Sequence, residues 1–207
     1  MSAHHRGTDQ DAGASPYASP RLLRVLGLDP ASAGPTGFGV VETDGRNCRA
    51  LHFGAFQARR GATLAARLCE IHRLVARLVE DFRPDAVALE SVFTALNMRT
   101  ALQLAEVRGV VQLAAAEREI PIHSYSPREV KACVAGYGDA SKQQMQLMVR
   151  AILSMTETPE PADAADALAV ALCHIQNARV QARYAAAPPP VRRARNRASD
   201  ARIPVLR

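Results

Sequence analysis

Apolar positions along this chain follow two rhythms, and their order outlines a fold. Leu22, Leu23, Val25, Leu26 and Leu28 form a nearly unbroken apolar run, as in a strand buried on both faces. The run stops on Asp29, and Pro30 blocks further ladder pairing. Ala31 to Gly37 is small and turn-rich, and GFGVVE (37–42) returns as a second strand. Asp-Gly within Thr43 to Asn47 marks a hairpin into a third strand over Arg49 to Ala58. The rhythm then changes. Leu64, Leu68, Ile71, Leu74, Val75 and Leu78 recur at three and four residues, predicting a helix over Ala62 to Phe82. Asp85 to Glu90 (DAVALE) is a short apolar run that again ends on a carboxylate. A second long helix is expected over Asn97 to Glu119, then a strand over Ile120 to Tyr125. Ser126, Pro127 and Glu129 make a helix start. Ser141 to Ser154 reads as another helix, TETPEPA (156–162) as a Pro-broken loop, and Asp163 to about Val180 as a last helix with an Ala/Leu face. Hairpins followed by helical crossovers predict an α/β fold with a mixed five-stranded sheet flanked by helices.

Composition narrows the class. The 207 residues suit one domain with a sizeable core and some tail. Residues 1–20 read as a disordered extension, 21–184 as the folded domain and 185–207 as a basic disordered tail. No apolar stretch is long enough for a membrane span, and the N-terminus has no secretory h-region, so a cytoplasmic location is expected. Cys48, Cys69, Cys133 and Cys173 are scattered without a CxxC pair; they read as reduced core residues, with a zinc site as the alternative. The net charge is +6, and residues 179–207 alone carry eight Arg against Asp200. Nucleic acid is a reasonable partner for that segment; a solubilising tail is the alternative. Only two lysines, Lys131 and Lys142, stand beside 24 arginines.

The chemistry lies in four acids. If the first and fourth strands are neighbours, Asp29 and Glu90 emerge side by side at one sheet edge. Asp163 and Asp166 are three apart in the expected first turn of the last helix and share a face. Four converging carboxylates cannot all stay ionised without a partner. Hard cations answer that need, and all-oxygen ligands favour Mg²⁺ or Mn²⁺. Two such ions about 3.5–4 Å apart suit phosphodiester hydrolysis. Taken singly, Asp163 also reads as an N-cap and Glu90 as a strand-end surface acid.

GLDPASAGPTGFGVVE, LESVFTALNMRTALQLAEVRGV, SPREVK, VAGYGDASKQQMQLMV and ADAADALAVALCH together resemble the bacterial RuvC-type crossover junction endodeoxyribonucleases. The resemblance covers roughly Leu22 to His174. Two departures stand out: Ala31 where the family usually has Gly, and a following turn one residue longer. The resemblance implies a ribonuclease H-like fold and a homodimer. It also implies Mg²⁺-dependent cutting of four-way (Holliday) junctions in recombination and repair, and a branch-migration helicase partner. Carried over by position, Asp29, Glu90, Asp163 and Asp166 match the family's catalytic, metal-binding acids, with two Mg²⁺ per site and Mn²⁺ able to substitute. Lys131 and Lys142 match lysines on the phosphate backbone. Phe93 matches a residue stacking on an unpaired base, and Asn97 and Arg99 lie in the same DNA-facing segment. Arg108 and Arg128 are further candidates for the phosphate track. The second long helix, apolar over more than one stripe, matches the family's dimer interface.

Each of these has a plainer alternative: surface lysines, a core Phe93, and burial of the helix within one monomer. His52, His72, His123 and His174 have no evident catalytic role. Besides a related single-chain nuclease of the same fold acting on RNA, two other readings remain open from the residues. The opening hairpin also resembles the phosphate hairpin of actin-like and sugar-kinase ATPases, although the chain has no room for their second domain. A non-catalytic junction-binding module is the other, disfavoured because acids facing phosphate oppose binding.

Overall fold

The computed structural model describes residues 22–32, 34–91 and 98–186. Phe93 and Asn97 lie outside them. The elements run β1 (Leu23–Asp29), β2 (Thr36–Thr43), β3 (Cys48–Phe56), α1 (Leu64–Phe82), β4 (Ala86–Glu90), α2 (Met98–Ala116), β5 (Ile122–Tyr125), α3 (Pro127–Ala135), α4 (Lys142–Ile152) and α5 (Ala162–Ala186). The five strands form one sheet in the order β3-β2-β1-β4-β5. β1 pairs antiparallel with β2 and parallel with β4, so the first and fourth strands are neighbours.

Period-two alternation along β1 feeds two cores. Val25 points to one face, joining Val41 and Ala88 beneath α3, α4 and α5. Leu26 and Leu28 point to the other, joining Val40, Val87 and Leu89 beneath α1 and α2. Helix α1 buries Ile71, Leu74, Val75, Leu78 and Val79, the i, i+3, i+4, i+7 stripe that holds an amphipathic helix to a sheet. Thr63 caps its start, and Arg83 ends it in the left-handed region at φ 47°. Helices α3 and α4 both begin with complete capping boxes, on Ser126/Glu129 and Ser141/Gln144.

Three details differ from expectation. Helix α5 runs to Ala186 rather than about Val180; alanine and arginine favour helix, and no proline interrupts the sequence before Pro188. It also has no single apolar face: from Ala164 to Ile175 every residue except Asp166 is buried, because the sheet lies on one side and α3 and α4 on the other. Cys69 is exposed, since it falls off the apolar stripe of α1. No helix among the described residues is long and apolar enough to cross a membrane.

Candidate active site

Parallel pairing of Leu28 with Leu89 brings Asp29 and Glu90 to adjacent strand ends. On its other side Asp29 lies opposite Gly37 of β2. A Cβ on Gly37 would stand 2.0 Å from the carbonyl oxygen of Asp163, so the start of α5 rests on the strand backbone there. A Cβ on Gly27 would meet the Ala167 carbonyl oxygen at 2.1 Å, and one on Gly39 the Leu168 side chain at 2.7 Å. These three glycines form a smooth track that seats α5 and delivers Asp163 and Asp166 to Asp29. Asp163 lies inside the first helical turn, so it is not an N-cap; Asp166 falls just past that turn because α5 starts at Ala162.

Electrostatics separates these acids from the other inward-facing carboxylate. Glu42, 2% exposed, accepts from Arg24 Nε at 2.7 Å and from Arg49 Nη2 at 2.6 Å. Burial alone would raise its pKa, but the two guanidiniums outweigh burial and hold it below the usual carboxylate value. The Asp29 carboxyl is instead pushed up to about 8, first by burial, then by the charge and hydrogen bond of Glu90, then by Asp166 and Asp163. Glu90 is also raised, chiefly by burial. Both carboxyls therefore hold a proton more tightly than an ordinary carboxyl does, and a cation would relieve both. Among the described residues, no three potential ligands already converge as a metal set. Mutual repulsion opposes such closure without a cation, and Lys142 Nζ holds Asp166 Oδ2 at 3.1 Å. The donors are all oxygens and half-buried, and Lys142, Lys131 and Arg108 offset their charge only in part, since Asp29 and Glu90 stay raised. They fit a hard divalent cation.

Beside the acids is an open cleft of about 260 Å³ with Glu90, Lys131, Lys142 and Asp166 on its walls. Lys131 acts on Glu90 through its charge. The Lys142 ammonium is held above its ordinary pKa, first by its bond to Asp166. Arg99 is exposed in the first turn of α2. Arg108, expected on a phosphate track, instead turns inward. Its Nη1 donates to the Glu90 carbonyl oxygen and its Nη2 to Ser124 Oγ at 3.2 Å. The stem of Arg128 packs against Gly138.

Sequence reasoning passed over two features. Arg67 reaches from α1 to three carbonyls of the turn after Asp29; an arginine interrupting an apolar stripe was the available signal. His174 is 3% exposed, packs on His123 at 4.4 Å between ring centroids and pairs through Nδ1 with Tyr125 Oη at 2.8 Å. Its Nε2 is buried without a hydrogen-bond partner among the described residues. Burial first, then His123, depresses its pKa to about 4. The folded state thus refuses a proton that the unfolded chain takes up near pH 6.5. Stability is complete above that pH and falls as pH drops toward the folded value. The raised Asp29 carboxyl works in the opposite sense over this range, so the His174 contribution is read as a difference: the stability of wild type relative to His174→Gln in urea unfolding is expected to fall by about 2 kcal/mol between pH 6.5 and 5.

A mixed sheet in this order, with acids on two adjacent strand ends and on the first turns of a helix laid across them, defines a ribonuclease H-like nuclease. The matching family model is "Crossover junction endodeoxyribonuclease RuvC", over residues 25–174. The chain belongs to that family and is a crossover junction endodeoxyribonuclease. It is 46% identical over 157 residues to the enzyme of that name from Thermomicrobium roseum, covering 76% of this chain and 95% of the relative. To the one from Salinispora arenicola it is 44% identical over 172 residues, covering 83% and 98%. Among solved structures, Thermus thermophilus RuvC in complex with a Holliday junction substrate superposes with a TM-score of 0.73 at 36% identity, covering 77% of this chain and 96% of that one.

Proposed function

We propose that this chain resolves four-way DNA junctions by paired nicks on opposed strands, in homologous recombination and repair, with Asp29, Glu90, Asp163 and Asp166 as its catalytic acids. The observation that carries this reading is the buried, mutually coupled Asp29 and Glu90 carboxyls on adjacent strand ends, with the start of α5 seated beside them and Lys131 and Lys142 on the cleft wall. Those acids would hold two Mg²⁺, with Mn²⁺ able to substitute. When bound, the ions lower the pKa of the attacking water and offset charge on the scissile phosphate. The protein's own groups then have distinct tasks. Asp29 and Glu90, whose carboxyls burial and mutual charge bias toward the protonated form, would ionise to serve as ligands. Asp166, now paired with Lys142, would help hold a cation, and Lys142 and Lys131 would then face backbone phosphates. Arg99, Phe93 and Asn97 extend the DNA contact along the segment that leads into α2.

Junctions have approximate two-fold symmetry, so a C₂ homodimer gives one site to each cut strand. Helix α2 suits the interface: Val107, Val111, Ala114 and Ala115 face the sheet, while Met98, Leu102 and Leu113 stay exposed. A cytoplasmic location, a branch-migration helicase partner, and a single nuclease domain between an N-terminal extension and a basic tail complete the proposal.

The test is a labelled four-way junction, part mobile, incubated with Mg²⁺ or EDTA beside linear duplex. Symmetric paired nicks with Mg²⁺ alone are expected. Tight binding without nicks, across several junction sequences and with Mn²⁺ tried, would leave a binding module instead.

A further inference from the structure

The two strand ends that carry Asp29 and Glu90 are each gripped by an arginine from the same helical layer. Arg67 of α1 donates through Nη1 to the Ser32 carbonyl oxygen at 2.5 Å. Its Nη2 donates to the Ala31 and Gly34 carbonyl oxygens at 2.7 and 2.8 Å. Three acceptors of the turn that begins one residue past Asp29 thus converge on one guanidinium. Arg108 of α2 does the same at β4. It donates to the carbonyl oxygen of Glu90 itself and to Ser124 of neighbouring β5. Neither guanidinium has an ion-pair partner among the salt bridges of the described residues. Their donors go to neutral oxygens, chiefly backbone carbonyls. A planar fork spreads five donors over three nitrogens at fixed angles and so matches such spaced acceptors, whereas an ammonium must reach them all from one atom.

We infer that Arg67 and Arg108 are positioning residues that fix the ends of β1 and β4 through backbone carbonyls, and with them the spacing of the Asp29 and Glu90 carboxylates. The inference rests on the proposed role of those acids. Mutual repulsion pushes like-charged groups apart. The arginines hold the backbone against that push from beneath, without touching DNA or cation. Helices α1 and α2 pack together on one face of the sheet, so the two grips share one rigid base.

The experiment compares wild type with Arg67→Ala, Arg67→Lys, Arg108→Ala and Arg108→Lys. Arg118→Ala serves as a control. Arg118 also holds a helix carbonyl, that of Ala114 at 3.1 Å, and pairs with Glu80 at 2.8 Å, at the far end of α2. The first readout is Mn²⁺ binding to the DNA-free protein, followed by water proton relaxation. The second is single-turnover junction cleavage, with junction affinity measured in Ca²⁺. Mn²⁺ affinity is expected to fall about 10-fold in each Arg67 and Arg108 variant, and cleavage about 10²-fold. Junction affinity is expected to stay within about twofold, since no phosphate contact is removed. Lysine is expected not to rescue, and Arg118→Ala to leave Mn²⁺ binding unchanged even where its melting point falls. Folded Arg67 and Arg108 variants that bind Mn²⁺ as wild type does would overturn the inference, as would full rescue by lysine. An inert wild type would instead strike at the proposed function, and the Mn²⁺ measurement would still read the two arginines.

Discussion

Asp29→Asn is expected to abolish junction cleavage, by on the order of 10³-fold or more, while junction binding stays intact or tightens. Two physical effects give this split. At Asp29, burial, Glu90, Asp166 and Asp163 each push the proton affinity up, and together they outweigh the charge of Lys142. It is therefore where cation charge is most needed, and an amide offers one neutral oxygen in place of a carboxylate. DNA responds in the opposite sense. An amide cannot ionise, so position 29 never presents a negative charge to phosphate. The same substitution at Asp166 releases Lys142 from its 3.1 Å ion pair and is expected to give the same split. Single-turnover cleavage with Mg²⁺, beside equilibrium binding in Ca²⁺, measures both arms. Thermal midpoints should not fall, because removing an acid from a like-charged group relieves strain. Binding lost in step with cleavage would indicate misfolding instead.

Gly37→Ala is expected to lower cleavage about 10²-fold with every acid still present. A Cβ there would lie 2.0 Å from the Asp163 carbonyl oxygen and 2.6 Å from its carbonyl carbon. Both are main-chain atoms, and no rotamer relieves the clash. The start of α5 must rise from β2, carrying Asp163 away from Asp29, which lies opposite Gly37 in the ladder. Overpacking of this kind costs about 1–3 kcal/mol of stability. Chemical unfolding and cleavage at saturating Mg²⁺ should register the two losses separately. Gly45→Ala is a useful contrast: a Cβ there meets nothing within 4 Å, and only its φ of +89° is disfavoured. That change should cost stability and leave the rate of cleavage alone.

Much of the site was visible as local pattern. Asp29 and Glu90 each end an apolar run, and a run that ends on an acid reads the same before and after folding. Ser126 and Glu129 announced their capping box through a spacing of three. Asp163 and Asp166 followed from helical periodicity. Arg108 shows where such reading fails. Among the basic residues flanking the acids it looked like any phosphate contact, yet its guanidinium turns under the sheet to the Glu90 carbonyl. Side-chain direction depends on which neighbour lies beneath. The setting of His174 was equally hidden: nothing near it in sequence indicates the ring of His123 or the hydroxyl of Tyr125.

The order of elements, the class of sheet and the residue types of the site were thus set locally. Hydrophobic period, proline and glycine breaks, and caps each act within a few residues. The pocket belongs to the packed chain. Gly27 and Ala167, Gly37 and Asp163, and Arg67 and the Ala31–Gly34 turn meet across long stretches of sequence. Close packing fixes such meetings to tenths of an ångström. The raised proton affinity of Asp29 exists only after folding, when burial and three other acids reach it together.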